Sequence, residues 1–423
     1  MSLLEHPSVH AVNDPDALID GALRMLRAHL GLDVAFVSQL ADGLRTFRHV
    51  DAVDRSGIEV DGSDPAEESY CHHVAAGRMP EFMVDPKDDP IAGAMAVTSD
   101  LPVGTHFSIP LVFSDGATYG TFCGFSHEVL DHLGERDLAV VRMLARLVAG
   151  YVEQSEDQRQ DREQRRQRLL DLEHGRDFAI WLQPIVGLDT GRWVGFEALA
   201  RFPDLPGGPA VVFAEAAQLG VGVEVELAAI RAAVTVLPDL PGQSYLAVNA
   251  GPDTILDPRL TDLVRVAGAE RIVLELTEHV PVQDYPGLQN AIRTLTGLGT
   301  RLAIDDVGTG FSGLHHILEL EPHMLKLDGV LVRDVNDRPG KQAMVTALTT
   351  FARDTGVTVI AEQVETPAEL QMLTGLGVHS AQGYLLTRPT PFASLFPRSS
   401  GNGSGAHLTV ATPPTRKLHE VSH

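Results

Sequence analysis

The sequence predicts two folded units in tandem: an α+β domain over residues 15–150 and an α/β unit, a (β/α)8 barrel, over residues 176–397. Three observations carry this reading. From Phe178 onward, short apolar runs alternate with amphipathic segments, the signature of strands followed by crossover helices. The first half instead reads helix, strands, closing helix. Between the two lies Glu153 to Arg168, almost wholly polar and free of Gly and Pro. A stretch of that composition continues a helix, so residues 151–175 are expected to be a polar helical linker. It lacks the apolar a and d positions of a good coiled coil.

Size and charge bound the function. The 423 residues exceed one ordinary domain, and 44% hydrophobic content is enough for large cores. The formal net charge of -24 argues against a nucleic-acid polymer or an anionic membrane surface as partner. A small anionic substrate would need local positive charge from a metal or a few basic residues. There are two cysteines, Cys71 and Cys123, so no disulfide framework is indicated and a reducing compartment fits. No signal peptide or membrane-spanning apolar run is seen, and a cytoplasmic location is expected.

Residues 1–14 read as a loose leader. Asp14-Pro15 opens a helix carrying Leu18, Ile19, Leu23, Met25, Leu26 and Leu30 on a helical period. Strands are expected at Ala35–Leu40, Thr46–Ala52, Thr105–Val112 and Tyr119–Phe125, with a short helix starting near Ser69. Glu135 to Glu153 is a strongly amphipathic helix. Cys71 beside His72 and His73 reads as a buried small hydrophobe next to two partly exposed imidazoles, in preference to a metal or haem site. Cys123, in an apolar strand, reads as core.

Glu68-Ser69-Tyr70-Cys71-His72-His73-Val74, Asp85-Pro86, Pro102-Val103-Gly104 and Tyr119-Gly120-Thr121-Phe122-Cys123-Gly124-Phe125 together resemble a GAF domain. That resemblance implies a sensor of a small ligand or signal, or a dimerisation module. It does not give the ligand.

In the second half, strands are expected at Phe178–Ile185, Trp193–Leu199, Tyr245–Asn249, Ile272–Leu276, Arg301–Asp305, Met324–Leu327, Val357–Glu362 and Val378–Gly383. Helical segments fall at 213–237, 257–267, 285–298, 311–319, 338–355 and 367–375. In a barrel the active site lies at the carboxyl ends of the strands. From the second strand to the eighth, those ends deliver Glu197, then Asn249, Glu275 with Glu278 in the turn, Asp305 with Asp306, Lys326, Glu362 with Glu365, and Gln382. Each stands behind an apolar run, so together they read as one site.

The ligand types are all oxygen, with no His or Cys among them. That selects hard cations, Mg²⁺ or Mn²⁺. Several carboxylates permit two ions about 3.5–4 Å apart sharing a bridging Asp, an arrangement suited to in-line displacement at a phosphodiester. A Lys among the acids can hold a nucleophilic water, and a further Glu can take its proton.

Phe196-Glu197-Ala198-Leu199-Ala200-Arg201-Phe202 resembles the signature of the EAL-domain cyclic-di-GMP phosphodiesterases. Gln183-Pro184-Ile185, Val248-Asn249, Glu275-Leu276-Thr277-Glu278, Asp305-Asp306-Val307-Gly308-Thr309-Gly310-Phe311-Ser312, Leu325-Lys326-Leu327-Asp328, Ala361-Glu362-Gln363-Val364-Glu365-Thr366 and Gln382-Gly383-Tyr384 match its other motifs in order. The resemblance implies an EAL domain on a TIM-like barrel that hydrolyses cyclic di-GMP to linear pGpG, as a homodimer, with a GAF domain as regulator. It implies that Glu197, Asn249, Glu275, Asp305 and Asp306 bind two Mg²⁺ or Mn²⁺ ions, and that Lys326 anchors the water. Glu362 would be the general base or hold a metal-bound water. Gln183, Leu199, Arg201 and Gln382 would face the substrate, Glu278 would fix the loop after the fifth strand, and Glu365 would support Glu362 from behind. The competing reading is a catalytically weak or inactive cyclic di-GMP receptor that signals through the GAF domain or a partner.

Three positions depart from the family pattern. Val307 stands where Phe is usual, Ser312-Gly313 where Ser-Ser is usual, and Gln363 where Gly is usual. None removes an expected ligand or the base.

Overall fold

The structure is a computed structural model that describes residues 14–53, 58–101, 103–172, 178–277, 284–308 and 312–396. The expected leader before Asp14, Glu278 and residues 398–423, whose Ser, Gly and Pro content predicts a disordered tail, lie outside those residues. Contacts divide the chain into two compact units between Glu163 and Gln164.

In the first unit, α1 (Pro15–Leu30) starts where Asp14 accepts from the Asp16 N–H and ends at Gly31 in the left-handed region. Six strands follow: β1 (Val34–Ala41), β2 (Leu44–Ala52), β3 (Ser63–Pro65), β4 (Phe82–Met83), β5 (Thr105–Val112) and β6 (Thr118–Ser126). They form one antiparallel sheet in the order β3-β2-β1-β6-β5-β4. Short helices α2 (Tyr70–Ala75) and α3 (Ala96–Asp100) lie in the connection. The two-residue period of the strands sorts the core. Ala35, Val37, Phe107, Ile109 and Phe122 face α1 and the helix α4 (Glu135–Asp171). Val34, Phe36, Cys123 and Phe125 face the opposite way, against Cys71 and Val74 of α2. Helix α4 continues without a break through the polar stretch to Asp171.

The second unit begins with a hairpin. β7 (Ala179–Gly187) runs antiparallel to β8 (Trp193–Arg201), with Gln183 opposite Glu197. β9 (Tyr245–Asn249), β10 (Ile272–Thr277), β11 (Arg301–Val307), β12 (Met324–Leu327), β13 (Thr358–Ala361) and β14 (Ser380–Ala381) then continue in parallel from β8. The β14–β7 pairing closes eight strands into a TIM-like barrel, and β15 (Thr390–Pro391) adds to the outside edge of β7. The first strand therefore departs from an all-parallel barrel. The segment expected as one helix over 213–237 is two, α5 (Gly208–Gln218) and α6 (Gly222–Val234), broken where Gly220 takes φ 70°. Among the described residues, no helix is long and apolar enough to cross a membrane.

The barrel interior explains the placement of the polar groups. Its apolar floor is made by Ile185, Tyr245, Ala247, Val273, Ala303, Met324 and Ile360. Two residues further along five of these strands, and so on the same inward face, come Asn249, Glu275, Asp305, Lys326 and Glu362. Gly195 holds the floor position on β8, two residues before Glu197. A Cβ there would meet the Tyr245 ring at 2.4 Å.

Candidate metal centre and active site

The barrel places Lys326 at the centre of a ring of acids. Its Nζ, wholly buried, lies 2.8 Å from Glu275 Oε2, 2.8 Å from Glu362 Oε1, 3.2 Å from Asp305 Oδ1 and 3.8 Å from Glu197 Oε1. Gln382 Nε2 donates to both Glu197 Oε2 and Glu362 Oε1 at 2.7 Å, tying the second strand to the seventh. Asn249 Nδ2 stands 3.5 Å from Glu197 Oε1 and is exposed at the rim. Four buried carboxylates thus face a single ammonium.

That imbalance shows in the titration of the groups. Burial pushes Glu275 well above the usual carboxylate range, and its acidic neighbours add to this against the pull of Lys326. Burial likewise pushes Glu362 up to about 8, with Asp305 and Glu197 reinforcing it and Lys326 opposing. For Lys326, burial favours the neutral amine, but the four acids outweigh it and hold the ammonium well above its ordinary value.

Asp305 and Asp306 are adjacent, and in a regular strand their side chains would point to opposite faces. β11 does not run regularly here. Its register with β12 shifts between Ile304 and Val307, and Asp306 takes φ 58°. This bulge turns the second acid back toward the first. One carboxylate oxygen each from Asp305, Asp306 and Glu362 fall within 4.8 Å of one another. The donor set is oxygen only, negatively charged in excess, and convergent. It fits one or two hard divalent cations.

The remaining expected residues divide. Leu199, Arg201, Asn249 and Glu275 line a cavity of about 430 Å³ between β8, β9, α5 and α6. Arg201 stacks on Trp181 at 5.4 Å and donates to the Ala200 carbonyl, outside the acid ring. Gln183 is buried and donates to the Thr387 carbonyl at 3.0 Å. Glu365 does not reach behind Glu362. It is exposed, and its N–H, with those of Thr366 and Asp334, is held by the buried Glu369. Glu369 is therefore the acid that braces this turn. Its sequence signal was the capping box it forms with Thr366. Glu226 was also missed. It lines the cavity from α6 and accepts from the Gly251 N–H at 2.7 Å, bracing the chain just after Asn249. An acid on a helix face gives no sequence signal for that role.

The departures are legible too. Val307 is buried in the outer core with Leu327 and Leu331. Gln363 takes φ 54°, a conformation that favours glycine, and its side chain covers Gly329. The side chains of Ser312 and Gly313's neighbour Leu314 lie outside the described ones.

In the first unit, Cys71 is not grouped with His72 and His73. Its sulfur is 3.2 Å from that of Cys123, and His106 completes a buried trio whose donor atoms lie within 4.8 Å of one another.

Two family models match the chain, one described as EAL domain over residues 163–389 and one as GAF domain over residues 14–152. An uncharacterized signaling protein of Caulobacter vibrioides is 27% identical over 348 residues, which is 78% of this chain and 40% of that protein. The probable cyclic di-GMP phosphodiesterase PdeA of Escherichia coli is 32% identical over 153 residues, 35% of this chain and 21% of that protein. The chain thus spans less than half the length of these curated relatives. The solved structure of the Xanthomonas citri FimX EAL domain in complex with c-diGMP matches with TM-score 0.51 and 20% identity, covering 56% of this chain and 97% of that one. That likeness is one of fold.

Proposed function

The chain belongs to the EAL domain family, and on that premise we propose that it hydrolyses cyclic di-GMP to linear pGpG with Mg²⁺ or Mn²⁺, under control of its GAF domain. The observation that carries this reading is the acid ring around Lys326, with Glu197, Glu275, Asp305 and Glu362 buried and Asp306 half-buried.

Glu197, Asn249, Glu275, Asp305 and Asp306 would hold the cations. When bound, these supply positive charge against the charge that develops as the phosphodiester opens. Lys326, held rigid by its four partners, donates toward a water lying beside the ring. Glu362 accepts the water's proton, with Gln382 fixing the orientation of its carboxylate. The water oxygen bonds to phosphorus, one ring phosphorus–oxygen bond breaks, the leaving oxygen takes a proton from solvent, and Glu362 returns the proton it accepted to solvent. Arg201, on the cavity side, supplies a guanidinium for a substrate phosphate. The reading includes a homodimer as the working state, as the family resemblance implies.

The test is turnover of cyclic di-GMP by the purified chain with either ion, followed by chromatography of the linear dinucleotide. The expected result is ion-dependent pGpG that disappears in EDTA. Absence of product with both ions, across candidate GAF ligands, would sink the proposal.

A further inference from the structure

The GAF unit holds a second donor cluster that the barrel chemistry does not use. Cys71 comes from α2, while Cys123 and His106 come from adjacent strands β6 and β5. The strand register explains their meeting. Ser108 pairs with Cys123, and His106 lies two residues before Ser108, so all three share one sheet face. Helix α2 packs on that face and delivers Cys71.

Both sulfurs are fully buried and His106 is 3% exposed. The His106 Nδ1 is buried without a hydrogen-bond partner. Such an orphan is uncommon in a core and asks for a reason. We propose that Cys71, Cys123 and His106 bind a thiophilic divalent cation, with zinc the ion that best suits two sulfurs and one imidazole.

Ligand type selects the ion class. Thiolate and imidazole donors suit zinc, whereas the all-oxygen barrel ring suits magnesium or manganese. Charge selects the valence. Two thiolates and Asp64 oppose one guanidinium, that of Arg45, which pairs with Asp64 and reaches the Cys71 sulfur at 3.4 Å. A divalent ion brings this set of charges to neutrality. Geometry requires little movement: the sulfurs must open from 3.2 Å to about 3.7 Å, their separation on a tetrahedral ion with zinc–sulfur bonds of about 2.3 Å. Any thiol proton passes to solvent as its sulfur takes the ion. A redox disulfide would need an oxidant to reach two sulfurs at 0% exposure.

The experiment uses the reduced, metal-stripped full-length chain titrated with Co²⁺. Sulfur ligation gives a near-ultraviolet charge-transfer band that oxygen ligands cannot give. We expect the band to saturate at one equivalent and to be displaced by Zn²⁺. It should vanish in Cys71→Ser and Cys123→Ser, change shape in His106→Gln, and persist in Asp305→Asn and His72→Ala. X-ray absorption on the wild-type zinc form, which does not depend on core variants folding, should find two sulfur neighbours and a nitrogen. No band in the wild type, a band unchanged in Cys123→Ser, or a zinc shell of oxygens alone would overturn the proposal. So would a Cys71–Cys123 disulfide in the isolated chain whose reduction restores no metal uptake.

Discussion

At the scale of single residues, Lys326 makes a cluster of buried acids tolerable. Without bound cations, burial first, and then Asp305 and Glu197 against the pull of Lys326, let Glu362 keep a proton up to about 8 that an ordinary glutamate would lose near 4.5. The sign of the consequence follows. In EDTA the folded chain binds a proton that the unfolded chain has released, so stability falls as pH rises from about 4.5 to about 8. Thermal unfolding across that range should show the decline, and Glu362→Gln should lessen it, with Glu275 sustaining the remainder. Gln363 makes a second residue-scale case. Its left-handed backbone costs a non-glycine residue roughly 1 kcal/mol. Gln363→Gly is therefore expected to raise stability by about 1 kcal/mol in denaturant titration. An unchanged or lower midpoint would mean that its cover over Gly329 matters more.

At the scale of elements, the site depends on how strands end. Most of this was legible in the sequence, because an apolar residue at one inward position and a polar one two positions later marks both the strand and its active end. The pattern of Ala303 with Asp305, or Met324 with Lys326, carries it. Other features were hidden. The antiparallel β7 breaks no local rule, since apolar alternation is the same in either direction. The bulge at Asp305-Asp306 needs a backbone angle that Asp tolerates without announcing it. The cysteine trio joins residues 52 apart, beyond the reach of any spacing rule. Gly383 is where an element would fail most sharply. A Cβ there would meet the Val364 backbone N and O at 2.2 Å, just where Val364 donates to the Gln382 carbonyl. Gly383→Ala should cost about 3 kcal/mol and displace Gln382, lowering turnover and unfolding midpoint together. A variant with normal midpoint and normal turnover would refute that placement.

For the whole molecule, the proposed hard-cation site of the barrel and the proposed thiophilic site of the GAF domain are separated by donor chemistry. The barrel site makes its own thermodynamic prediction. An ion that binds only the folded state stabilises it by about 2.7 kcal/mol at a hundredfold excess over Kd. Mn²⁺ should therefore raise the melting temperature of the wild type, and Asp305→Asn should blunt that rise. The formal net charge of -24 makes local cation binding matter more, because little else on this chain would draw an anionic dinucleotide inward. The most direct test of the central claim is kcat for cyclic di-GMP at saturating Mn²⁺ in wild type and Glu362→Gln, with nucleotide binding measured on both. Substrate should bind to each, and kcat should be lower by about 10²–10⁴-fold in the variant. Equal kcat values, or no turnover by the wild type, would contradict it.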